Sequence, residues 1–242
     1  MKLLSYSMPA SVARISMVVA AILAIAAPAV AGSPMPLESA AGSSGGTALY
    51  VLSRGSYYAG KNIVVNGGKK NAINITGPNV TIDFRGYSIT GKNGAAGIGI
   101  NGPGKAQITI RNLNLAGMGG GGILIGANST VETTHVTGCG YGIETGVSSL
   151  IDDNSVTSSI TGDGIDGSGV IRGNVSDNNA GNGITAGANS VVINNEVSGN
   201  TGVGIAMQSS TGYSTNVINS TGTPVSGGYA MGGNACNGAP CP

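Results

Sequence analysis

The chain has 242 residues, 44 of them glycine, with no tryptophan, one phenylalanine and a formal net charge of +1. That composition excludes a core built on large aromatics. Regular Ile and Val positions exclude disorder, and the lack of a three-residue glycine period excludes collagen.

The N-terminus reads as an export signal over residues 1–31. Lys2 and Arg14 are the only charges before Glu38, and the apolar run "ISMVVAAILAIAAPAVA" ends in small residues before Gly32. The expected location is therefore secreted or periplasmic. No second apolar run is long enough to span a bilayer, so no membrane span is expected after signal removal. Residues 32–48, "GSPMPLESAAGSSGGTA", read as a flexible linker. A single domain over 49–242 follows, with an N-terminal cap and first coils at 49–91 and a C-terminal cap at 218–242.

From "AAGI" onward the chain repeats. "GGGI", "GYGI", "GDGI", "GNGI" and "GVGI" end at Ile123, Ile143, Ile165, Ile184 and Ile205, and "AAGI" at Ile98 is a degenerate earlier copy. The Ile-to-Ile intervals are 25, 20, 22, 19 and 21 residues. A second landmark runs through Val136, Val156, Val175, Val197 and Val217, with Leu115 and Ile89 continuing it backwards. The period is too short for two packed helices, and the segments alternate β-branched residues with Gly, Asn and Ser turns. Such a unit cannot bury its Ile face alone. Stacked as coils, each strand pairs in parallel with its copies about 4.8 Å away. The expected fold is all-β, a right-handed parallel β-helix solenoid of about seven or eight coils. Turn asparagines such as Asn154 and Asn195 are placed to stack as ladders. Within this frame the phrase "GDGIDGSG" (162–169) is one copy of a common turn. No helix follows it, so it is not a phosphate loop.

The segment before the repeats reads "YVLSRGSYYAGKNIVVNGGKKNAINITGPNVTIDFRGYSITG". It resembles the opening of bacterial pectate-lyase-like, right-handed β-helix proteins over about Tyr50 to Gly91. The resemblance implies the fold. Activity stays open, because that family includes polysaccharide lyases, glycoside hydrolases, epimerases, copper-assembly proteins and phage tailspikes. Lyases of this fold typically hold calcium through acidic side chains and abstract a proton with a basic residue. The chain lacks the "DH" and "IKG" phrases of the lyases, the "RIK" and "HG" phrases of the polygalacturonases and the "DPHD" phrase of the alginate epimerases.

Candidate chemistry follows from stacking. If Ile143 and Ile165 point inward, Glu144 and Asp166 point outward from neighbouring coils, in a column with Gly99, Leu124, Thr185 and Ala206. Two carboxylates at such spacing suit glycoside hydrolysis, and Asp163 in the preceding turn adds a third. Those three are the candidate catalytic residues. Glu132, Asp152, Asp153 and Arg172 gather on the next sheet with His135 beside them. They read as a surface salt bridge with neighbouring acids, and calcium is the one cofactor they would admit. Residues 32–111 carry a net +6 and residues 112–242 a net −7. Lys61, Lys69, Lys70 and Arg85 at the basic end are candidate ligand-binding residues for an acidic polysaccharide. Export and the scarcity of stacking aromatics disfavour nucleic acid. Among the three cysteines, Cys236 and Cys241 bracket a short turn that a disulfide would close, and Cys139 reads as a small buried apolar residue. Three functions fit: a polysaccharide-interacting protein, a lyase or hydrolase of acidic polysaccharide, and a self-associating envelope or matrix scaffold.

Overall fold

The computed structural model describes residues 33–40, 46–220 and 222–241. The export signal expected at 1–31 lies outside the described residues. The chain winds as a right-handed parallel β-solenoid of about nine turns, rather than the seven or eight expected. Each coil contributes one strand to each of three sheets in a fixed order. The first sheet carries the Ile of each "GxGI" phrase, as in Ile143–Thr145 and Ile165–Gly167. The second carries strands such as Ser149–Asp152 and Gly169–Arg172, and the third strands such as His135–Thr137 and Ser155–Thr157.

The core is three stacked columns, one per sheet. Ile123, Ile143, Ile165, Ile184 and Ile205 line the first, Ile110, Val131, Ile151 and Ile171 the second, and Leu115, Val136, Val156 and Val197 the third, all at most 1% exposed. Small aliphatic side chains suffice because the coil is narrow and each residue packs on its own copies above and below.

Two columns differ from the expected register. In the third sheet Val156 pairs with Ser176, and Val197 with Ile218, so Val175 and Val217 face outward. Ser176 tolerates burial because its hydroxyl donates to the Gly183 carbonyl at 2.6 Å and accepts from the Asn179 amide at 3.1 Å. In the first sheet Ile123 pairs with Ile100, not Ile98, because the early coils carry two extra residues before the inward position. Asn101 and Asn74 therefore take the outward place expected for Gly99, which faces the coil interior against Leu115.

The corners are held by side-chain ladders. Asn154, Asn174, Asn195, Asn216 and Asn234 stack at the second-to-third-sheet corner, each amide donating to the next at 3.0 Å. A shorter pair, Asn179 to Asn200, serves the corner after the third sheet. From the second coil on, the second-to-third corner bends through left-handed residues, among them Arg85, Asn112, Thr133 and Asp153, with φ between 51° and 56°.

Part of the segment expected as a linker joins the solenoid. Met35–Pro36 pairs in parallel with Tyr57–Tyr58 at the end of the second sheet, and Leu37 is fully buried against the first coil. The other end closes with Ala239–Pro240 running antiparallel to Ala235–Cys236, tied by a Cys236–Cys241 disulfide. That strand covers one open sheet edge. Cys139 is free and fully buried, and burial pushes its thiol up to about 11.

Candidate functional site

The outward column of the first sheet runs Asn74, Asn101, Leu124, Glu144, Asp166, Thr185 and Ala206. Glu144 and Asp166 are direct register partners, as the alternation about the inward isoleucines requires. Parallel strands about 4.8 Å apart bring two such side chains within mutual reach. They line a cleft of about 270 Å³ with Tyr141, Ile143, Gly162 and Asp163.

The wall of this cleft comes from the variable position of "GxGI". That position holds Gly121, Tyr141, Asp163, Asn182 and Val203 in successive coils. The Tyr141 ring lies over Gly121, where a Cβ would overlap it, and the Tyr141 Cβ faces Gly162. An aromatic wall fits here because its neighbours have no side chains. The Tyr141 hydroxyl is buried without a hydrogen-bond partner, and burial, then the Glu144 charge, pushes it up to about 12.

Asp163 is committed. One carboxylate oxygen accepts the Asn182 backbone N–H at 2.7 Å and the other the Thr185 hydroxyl at 2.6 Å. Of the three expected catalytic carboxylates, it is thus the one anchored to the next coil, and its charge borders the pair. Asp166 makes no comparable bonds in the described structure. Desolvation by the cleft walls, then the charges of Glu144 and Asp163, push Asp166 up to about 6. Part of its side chain remains exposed. Burial and the neighbouring charges thus favour the protonated form of Asp166, the form a general acid requires.

The second-sheet cluster resolves into an ion pair. Arg172 reaches Asp152 with two bonds, Nε at 2.9 Å and Nη2 at 2.6 Å. Asp153 instead occupies the left-handed corner, its carboxylate lies against Gly173, and its charge also acts on Arg172. Glu132 is Asp152's register partner on the other side. Among the described residues, no three His, Cys, Asp or Glu side chains converge as a metal site.

The basic candidates separate. Lys69 and Lys70 fall between the third sheet and the next first-sheet strand, whereas Lys61 and Arg85 fall at the second-to-third corner of adjacent coils. Arg85 lines a second cavity of about 430 Å³ with Gly86, Asn112, Leu113, Asn114, Thr133 and His135. Its guanidinium stacks 3.8 Å above the Tyr58 ring.

Comparison with protein-family models gives no match, and comparison with curated proteins and with solved structures gives no significant one. Fold and site together define a right-handed parallel β-helix protein, and the resemblance of residues 50–91 extends to the fold alone.

Proposed function

We propose that this is an exported β-helix protein that binds an extended extracellular polysaccharide along its first sheet. The carrying observation is the outward column from Asn74 to Thr185, polar except at Leu124, which passes the Tyr141 cleft. Asn74 and Asn101 on one side of Leu124, and Glu144, Asp166 and Thr185 on the other, present hydrogen-bonding groups about 4.8 Å apart in neighbouring coils to a linear polymer. Tyr141 adds a ring wall of the kind that packs on sugar faces. The test is retention of the purified protein on a panel of acidic and neutral polysaccharides, with and without calcium. Saturable retention that is lost in Tyr141→Ala supports the reading. Failure to bind any polymer overturns it.

A second reading, hydrolysis of the bound polymer, is favoured by the register pairing of Glu144 with Asp166 and by the raised pKa of Asp166. In that mechanism Asp166 protonates the leaving glycosidic oxygen, and Glu144, on the neighbouring strand, acts as nucleophile or base. New reducing ends that vanish in Glu144→Gln and in Asp166→Asn establish it. Binding without new ends leaves the protein a binding module.

A further inference from the structure

We infer that the C-terminal end of the solenoid is an interface for a second copy of this chain, which docks end to end about a two-fold axis. The surface lies at the tip of the coil stack and stands whether or not the Tyr141 cleft binds a polymer.

Three observations carry it. The first is that the two ends are finished differently. At the N-terminal end Leu37 is fully buried against the first coil, and the inward residues of that coil, Leu52, Tyr57 and Ile63, are buried as well. At the C-terminal end two inward columns run out uncovered. Val225 continues the column of Ile205 and is half-buried, and Ala230 continues that of Tyr213 and is exposed. The third column closes on buried Cys236 and its disulfide turn.

The second is an open strand edge. Among the described residues Tyr229–Gly232 is the last strand of the second sheet and Val225–Ser226 the last of the first. Tyr229 donates its N–H to the Thr211 carbonyl at 3.0 Å, so the alternation of a parallel strand turns the N–H and C=O of Ala230 to the open side. A further strand satisfies such a row of groups. Tyr229 and Met231 lie over Gly212, next in the outward column after Leu150, Val170 and Val191. An apolar strip on the second sheet therefore runs up to the same edge.

The third is charge, and it selects the partner. No Asp, Glu, Lys, Arg or His occurs from Val197 to Pro242. Open edges are ordinarily guarded by charged side chains, and this one is not. An uncharged end does not repel its own copy, and it has no electrostatic attraction for the basic N-terminal end, whose core is already covered. Two C-terminal ends therefore meet about a two-fold axis, with Tyr229–Gly232 antiparallel to its copy. Such a contact closes at a dimer, whereas a head-to-tail contact would grow into a fibre.

The experiment is sedimentation of the purified protein between about 1 and 100 μM, in low and in high salt. The expected result is a monomer–dimer equilibrium that added salt does not weaken, because the contact is apolar and backbone-bonded. Ala230→Lys sets a charge on the open edge and weakens association at least about tenfold. Ala230 is exposed, so the dilute variant melts where the dilute parent does. If Ala230→Lys misfolds, Tyr229→Lys, at a position 45% exposed, reads the same loss. A monomer at every concentration, a dimer that salt dissociates, growth beyond the dimer, or a dimer unaltered by these variants overturns the assignment.

Discussion

The side-chain amide of Asn154 donates to the side-chain oxygen of Asn174 at 3.0 Å, and the same oxygen accepts the Asn154 backbone N–H at 2.9 Å. Asn174 in turn donates to the Ile151 carbonyl at 3.0 Å, so one buried amide satisfies two coils. Truncating it would orphan two donors and one acceptor away from water. Asn174→Ala is expected to lower stability by about 2–4 kcal/mol, the cost of two or more buried unpaired groups. Thr134→Ala, at the start of the column, is expected to cost less, since Leu113 in the preceding coil already fills that place without a polar group. Chemical denaturation of both variants measures the difference.

This ladder also marks where the sequence was and was not legible. The period and the inward isoleucines were readable because "GxGI" recurs, and the Glu144–Asp166 pairing followed from them by alternation alone. The third-sheet column was misread because Val occurs on both faces: Val197 points in, Val175 and Val217 point out. Counting from the ladder asparagine corrects this, because the residue two positions after Asn154, Asn174, Asn195 and Asn216 is the buried one each time. The Tyr141 wall over Gly121 and the Arg85 stack on Tyr58 join residues 20 or more apart through side-chain direction, which no local pattern encodes.

The second glycine of "GxGI" permits the coils to approach. A Cβ on Gly142 would overlap the Gly164 carbonyl oxygen and a methyl of Val156. Neither neighbour has room to move, since both belong to the stacked core. Gly142→Ala is expected to destabilise by about 2–3 kcal/mol through overpacking. Gly138→Ala adds a methyl in open space, where only the left-handed φ of 59° is penalised, and should cost about 1–2 kcal/mol. Thermal melting of the pair ranks the two effects, and an equal loss would sink the steric account.

Arg172 and Asp152 make a two-point pair whose side chains are 42% and 16% exposed. Solvent screening limits its value, so Asp152→Ala or Arg172→Ala should each cost roughly 1 kcal/mol or less. A double-mutant cycle in low and high salt reads the coupling. A coupling energy that does not fall with salt would show that the pair is better shielded than its exposure implies.

The raised pKa of Asp166, about 6 against an ordinary 3.8, fixes the sign of a pH effect. Between these values the folded chain holds a proton that the unfolded chain has released. Stability contributed at this position is therefore present below pH about 4 and is lost as pH rises through about 6. The size is reduced by the exposure of the side chain, so the direction is what is expected. Asp166→Asn should be more stable than the parent at pH 7 and lose that advantage at pH 4. Asp163→Asn removes one of the charges that raise Asp166 but keeps an acceptor for the Asn182 N–H, so its Asp166 should titrate lower. Carboxyl-carbon NMR titration of Asp166 in the parent and in Asp163→Asn follows this directly. If the chain also cleaves its polymer, the rate should fall on the alkaline side of the same titration, because the proton that Asp166 must donate is gone. An alkaline limb that stays put in Asp163→Asn would remove Asp166 from the role of acid.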